Sequence, residues 1–175
     1  MTQCKLTESL KDTKKIKVLF VCLGNICRSP AAEEIMRSIV KSENDESRWS
    51  IDSAGTYGGH AGDLPDKRMR IHARRRGYEL THRSRRITAS DFDDFDIIVA
   101  MDSSNESNLK RLAPTLEAEG KIIQMSRFFR KATRFDYVPD PYYEGSEGFE
   151  LVLDILEDAC ENLYEQLTPY RHEQE

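Results

Sequence analysis

Two rhythms of apolar and polar positions run through this chain. Ile16 to Val21, with Lys17 its one polar residue, Asp96-Ile-Ile-Val-Ala-Met101 and Ile122-Ile123 are short apolar runs rich in β-branched residues, the pattern of strands buried on both faces of a parallel sheet. Trp49-Ser-Ile-Asp-Ser53 alternates and predicts a further strand. Elsewhere the spacing is helical. Ser29 and Pro30 fit an N-cap and first helical residue, and Ala32, Ile35, Met36, Ile39 and Val40 carry that helix to about Ser42. Pro65 opens a predicted helix ending near Gly77, and Asp102 one running through Leu112. The stripe from Phe149 through Val152, Ile155, Leu156, Ala159, Cys160 and Leu163 to Leu167 predicts a final helix packed on the sheet. Ala54 to Leu64 is glycine-rich and reads as a loop, Thr88 to Phe92 as a short capped turn. Ser126 to Tyr143, holding Pro139 and Pro141, is a long irregular stretch of the kind that often carries function.

Strands alternating with helices predict an α/β fold, a three-layer sandwich with a four-stranded parallel sheet flanked by helices. One domain is expected from 15 to 170, with 1–14 as a flexible N-terminal tail and 171–175 as a C-terminal tail. Ligands of such folds sit beyond the carboxyl ends of the strands at the switch point, which is where Cys22 follows the first strand.

Composition narrows the function classes. The 175 residues suffice for one core without disulfides or metals, and no apolar stretch is long enough to cross a bilayer. A net charge of −5 argues against general nucleic-acid binding. The arginines crowded between Arg68 and Arg86 fit either a solvated face or a basic surface for acidic partners. Cysteines at positions 4, 22, 27 and 160 lack the paired spacing of a zinc site or a secreted disulfide framework, so neither metal nor cofactor is expected. Met1 to Lys14 lacks the apolar core of a secretory signal, and a cytoplasmic protein is expected.

The chemistry concentrates in Cys22-Leu-Gly-Asn-Ile-Cys-Arg-Ser-Pro30. A strand that delivers a cysteine into a turn, with an arginine six positions on and a helix start behind it, suits an anion. The backbone at Leu23, Gly24, Asn25, Ile26, Cys27 and Arg28 can curl around a phosphate, while free N–H groups at the helix N-terminus favour both the anion and an attacking thiolate. This predicts a phosphate-binding loop between strand 1 and helix 1.

That motif, together with the distant Asp140-Pro-Tyr-Tyr143, resembles the low-molecular-weight protein tyrosine phosphatases, and Ile51-Asp-Ser-Ala-Gly55, Gly77 through Arg85 with His82, and Met101-Asp102 also fit the family's pattern. The resemblance implies hydrolysis of phosphotyrosine and aryl phosphates, with Cys22 as nucleophile, Arg28 holding phosphate oxygens and Asp140 as general acid and then base. It further implies that Asn25, Ser29, Ser53 and His82 form a hydrogen-bonded group supporting the loop. Phosphotyrosine-containing proteins would be the substrates, inorganic phosphate product and inhibitor, and the protein a monomer.

Several positions keep two readings. Asp102 fits an N-cap or a partner of Arg28. Cys27 is either a redox partner that shields Cys22 in a disulfide or a small packed residue. Tyr142 and Tyr143 fit a substrate cleft or plain surface packing, and His82 alone could be an ordinary surface histidine. Family members often carry a large aromatic near the position of Gly59; here the nearest one is Tyr57, so that cleft wall is either rebuilt or absent. Ile26 stands where a threonine is expected in relatives acting on phosphoarginine, which favours phosphotyrosine. An arsenate reductase would need further cysteines after Cys27. A phosphate-binding module or thiol sensor would have no use for the proton donor Asp140.

Overall fold

The computed structural model describes residues 8–10, 15–131, 133–143 and 145–168. Its centre is a parallel sheet of β1 (Ile16–Cys22), β2 (Trp49–Gly55), β3 (Ile97–Ala100) and β4 (Ile122–Gln124), in the order β2-β1-β3-β4. The continuous apolar runs have the predicted cause. Every residue of β3 is buried, because helices cover both faces. Even-numbered residues of β1, such as Val18 and Phe20, join the larger core with Ile35, Met36, Val152 and Leu156. Leu19 and Val21 point the other way, into a smaller core with Phe92, Leu109 and Ala118. The first core is built by α1 (Arg28–Ser42), α2 (Lys67–Arg74) and α6 (Ser146–Leu167), the second by α3 (Asp91–Asp94), α4 (Ser103–Leu112) and α5 (Leu116–Glu119). The three-layer sandwich follows.

Element boundaries depart from the predicted ones where a side chain has another task. Cys27, not Ser29, holds the N-cap position of α1, and Ser29 lies inside the first turn with its hydroxyl turned to Cys22. Pro65 does not open α2: Asp66 caps it by accepting from Arg68 N–H, and the chain leaves the helix before Gly77, whose φ of +89° suits a residue without Cβ. Strand β2 runs two residues past Ser53, to Gly55. Helix α5, capped by Thr115, stands where no element was predicted, and α6 begins at Ser146, three residues ahead of the apolar stripe. Within the segment read as an N-terminal tail, residues 8–10 are helical and Leu10 is buried in the larger core; 1–7, 11–14 and the expected tail at 171–175 lie outside the described residues. No helix among the described residues is long and apolar enough to cross a membrane.

The order β2-β1-β3-β4 makes β1 the point from which the chain winds both ways. The segments leaving β1 and β3 diverge there, opening a crevice at their carboxyl ends. Cys22 ends one of these strands, and Asp102 follows the other.

Candidate active site

The loop from Leu23 to Cys27 is held in its curl from outside. Thr56 N–H donates to Cys22 O (3.0 Å) and Tyr57 N–H to Leu23 O (2.9 Å), continuing the β1–β2 pairing around the bend. A Cβ on Gly55 would stand 2.7 Å from Leu23 O, so only glycine permits this approach. Asp66 N–H donates to Ile26 O at 2.7 Å, and the Ser84 hydroxyl lies 2.9 Å from Gly24 O and 2.6 Å from Asn25 O.

Asn25 is the turning point, fully buried with φ +55°, a left-handed conformation that a non-glycine residue keeps only under constraint. The constraint comes from its side chain. Its amide donates to Ser29 Oγ (2.8 Å) and Ser53 Oγ (3.0 Å), while its Oδ1 accepts from Arg85 N–H (3.0 Å) and lies 2.9 Å from His82 Nε2. The Arg85 main-chain donor fixes Oδ1 as the acceptor, so His82 Nε2 carries the hydrogen. On its far side His82 Nδ1 faces Glu33 (3.2 Å) and Asp52 (3.4 Å), and Ser53 donates to Glu33 Oε1 at 2.9 Å. All four residues expected to support the loop are thus in one network. Burial raises the Glu33 carboxyl above its ordinary range, against the pulls of His82, Arg37 and Ser53. Glu33, Asp52 and His82 offer atoms within 4.8 Å of one another, the one such group among the described residues, but these atoms already serve Ser53, Arg85 and one another.

Above this scaffold, Cys22 Sγ lies 3.1 Å from Ser29 Oγ, and Cys22 is nearly inaccessible except through the cleft it lines. Arg28 is buried and aimed from two sides: Nη1 donates to Asp102 Oδ2 (2.6 Å) and to Val138 O (3.1 Å). Asp102 fills both roles left open, since its Oδ1 caps α4 by accepting from Asn105 N–H (2.8 Å). Burial works against the Arg28 charge, but Cys22, Asp102 and Asp140 outweigh it and hold the guanidinium above its ordinary pKa. Asp140 closes the other wall, with Oδ2 3.5 Å from Arg28 Nη2 and Oδ1 accepting from Tyr142 N–H at 3.0 Å. Burial, reinforced by Asp66, Cys22 and Asp140, pushes the Cys27 thiol far up and keeps it neutral.

The cleft walls include Leu23 and Tyr57 on one side and Tyr142 on the other. A Cβ on Gly59 would stand 2.2 Å from Tyr57 Oη, so the Tyr57 ring occupies the space a side chain at 59 would need. The side chain of Tyr143 lies outside what is described. The spacing of apolar residues gave no sign of His60, which lines the cleft edge-on to Tyr57 with ring centroids 6.3 Å apart. Ser84, Asp66 and Arg68 were missed as well. Glu33 left a trace, a carboxylate on the apolar face of α1.

The profile of the family described as "Low molecular weight phosphotyrosine protein phosphatase" matches residues 17–173. The chain belongs to this family. Among its relatives, the low molecular weight phosphotyrosine protein phosphatase of Schizosaccharomyces pombe is 40% identical over 156 residues, 89% of this chain and 99% of that one. The human protein of the same name is 37% identical over 149 residues, 85% of this chain and 94% of its own. The fold agrees with that of the protein tyrosine phosphatase from Entamoeba histolytica, solved with Hepes in its active site: TM-score 0.82 at 46% identity, covering 86% of this chain and 95% of that one. In this low molecular weight phosphatase Cys22, Arg28 and Asp140 line one cleft.

Proposed function

We propose that this phosphatase hydrolyses phosphotyrosine in proteins, and simple aryl phosphates, in two steps through a cysteinyl-phosphate on Cys22. The observation that carries this reading is the shared cleft in which the Cys22 sulfur, the Arg28 guanidinium and the Asp140 carboxyl face one another. In the first step the Cys22 thiolate attacks phosphorus in line, forming the S–P bond as the bond to the phenol oxygen breaks, and Asp140 gives its proton to that oxygen. A tyrosine leaving group has a pKa of about 10, so departure without a proton is slow. In the second step the Asp140 carboxylate takes a proton from water, the hydroxide oxygen bonds phosphorus, and the thiolate leaves with inorganic phosphate as product.

Arg28 hydrogens not committed to Asp102 and Val138 O, with the main-chain amides from Leu23 to Arg28, take the equatorial oxygens as charge shifts onto them. Ser29, 3.1 Å from Cys22 Sγ, stabilises the sulfur as attacker and leaving group. Tyr57 and Tyr142 supply flat faces for the phenyl ring. Cys27, held as a thiol, can condense with a Cys22 sulfenic acid formed by peroxide, releasing water and giving a disulfide that a thiol reductant reopens. We place the activity in a cytoplasmic monomer with a single catalytic domain over 15–170, inhibited by its phosphate product.

Hydrolysis of p-nitrophenyl phosphate in chelator, with phosphotyrosine and phosphoarginine as competitors, tests the reading. Cys22→Ser should abolish turnover, and Arg28→Lys should lower it about 100-fold or more because a lysine lacks the planar fork. Asp140→Asn should cripple phosphotyrosine hydrolysis while leaving phosphate binding in place. A parent that binds phosphate but does not turn over, or one that prefers phosphoarginine, overturns the proposal.

A further inference from the structure

Asp140 stands in a short segment tied down on both sides. On one side, Val138 N–H donates to Met101 O at 2.9 Å and Arg28 Nη1 to Val138 O at 3.1 Å. On the other, the tie is Arg68, which lies 74 positions before Tyr142 near the start of α2. Arg68 Nη2 donates to Tyr142 O at 3.1 Å, and its guanidinium carbon stands 5.5 Å from the Tyr142 ring centroid and 5.0 Å from that of the buried Phe149. Tyr142 N–H in turn holds Asp140 Oδ1 at 3.0 Å.

Arg68 is itself aimed. Its Nε and Nη2 form a fork on the Asp66 carboxylate at 3.1 and 3.0 Å, and Asp66 N–H is bonded to Ile26 O inside the phosphate-binding loop at 2.7 Å. An unbroken chain of contacts therefore runs from Ile26 through Asp66, Arg68 and Tyr142 to Asp140. An exposed ion pair by itself contributes little. A planar fork that also stacks on two rings and reaches a main-chain carbonyl instead fixes one segment against another.

We propose that Arg68 is a positioning residue for the general acid, a clamp that sets Asp140 over the leaving-group oxygen by tying its segment to the phosphate-binding loop. The proposal rests on the reading of Asp140 as proton donor. Proton transfer needs the carboxyl within about 3 Å of the departing oxygen, so slack in this segment acts on the protonation step before it acts on phosphate binding. The clamp needs the guanidinium plane, which a lysine does not supply.

The test is kcat/KM for a series of aryl phosphates, from a nitrophenol to phenol to phosphotyrosine, in the parent, Arg68→Ala, Arg68→Lys, Asp140→Asn and the Arg68→Ala/Asp140→Asn double variant, with thermal melts to show that each is folded. Both Arg68 variants should lose about tenfold or more on phosphotyrosine, with the loss shrinking steadily as the leaving phenol becomes more acidic. In the Asp140→Asn background, Arg68→Ala should add less than about twofold, because the clamp acts through Asp140. An equal loss along the whole series, full recovery with lysine, or additive losses in the double variant overturns the clamp. Should Arg68→Ala fail to fold, Arg68→Lys with the same series decides the matter. If Asp140→Asn leaves the dependence on leaving group unchanged, the general-acid reading fails first and takes the clamp with it.

Discussion

His82 Nε2 lies 2.9 Å from the side-chain oxygen of Asn25, and through this bond a residue 57 positions away holds the active-site loop in a left-handed turn. The turn aims the loop, and the network behind it keeps the turn from relaxing.

Asn25 does two jobs that substitution can separate. Asn25→Gly frees the backbone to adopt φ +55° but deletes every side-chain hydrogen bond; Asn25→Ala deletes the bonds and adds the conformational strain. The alanine variant should be less stable than the glycine variant by about 1–3 kcal/mol, the cost of a strained left-handed residue. Both should lose turnover of p-nitrophenyl phosphate. Urea unfolding of the pair gives the difference directly, and equal stabilities would show that the conformation carries no strain.

The thiols should separate by reactivity. Cys22 and Cys27 both line the cleft, but burial pushes Cys27, like Cys160, far up and leaves these two as neutral thiols. Iodoacetamide at neutral pH should label Cys22 first, with inorganic phosphate protecting it, and should inactivate in step with that labelling. Peptide mass spectrometry checks the order; Cys27 labelled ahead of Cys22 would reverse the assignment.

The proposed aromatic wall at Tyr57 takes up space beside a glycine two residues away. Gly59→Trp places a side chain in the space of the Tyr57 ring and should raise KM for phosphotyrosine several-fold. Tyr57→Gly combined with Gly59→Trp should recover most of that loss, since the new ring then has the old one's room. Steady-state kinetics of the three variants decides it, and a double variant no better than the single would show that Tyr57 is not the wall.

Asp91 gives the pH dependence of stability a sign. Burial works to raise its carboxyl, but the Arg85 fork at 2.9 and 3.0 Å and the Thr88 N–H bond at 2.8 Å prevail and hold it below the ordinary carboxylate pKa. A carboxylate depressed in the folded state stabilises fully above its unfolded pKa of about 3.9, and that contribution is lost as pH falls through the lower folded value. The melting temperature of the parent should therefore fall below about pH 4 more steeply than that of Asp91→Asn, which should be less stable at neutral pH. Parallel melting curves from pH 7 to 3 would contradict this.

The sheet and its helices were legible because their signals are local. An unbroken apolar run such as Ile97 to Met101 is compatible with little except a doubly covered strand, and the stripe from Phe149 to Leu167 with little except a packed helix. The capping detail at α1 was misread for the same locality: Ser29-Pro30 is a good helix start by itself, and only the sulfur of Cys22 and the amide of Asn25 draw the serine hydroxyl elsewhere. Helix α5, four residues long, has too little periodicity to stand out.

What the sequence determined alone was the family, through the contiguous Cys22 to Pro30 and the distant Asp140-Pro-Tyr, and with it the residues proposed as nucleophile, anion cradle and acid. Tertiary structure decided how those groups are held and aimed. Glu33, Ser84, Asp66, Arg68 and His60 act on atoms that parallel strand pairing and the winding of β2-β1-β3-β4 bring near them from distant parts of the chain. A hydrogen bond is set by distance and direction in space. Spacing along the chain fixes both within a turn or a helix, and neither across a sheet crossover.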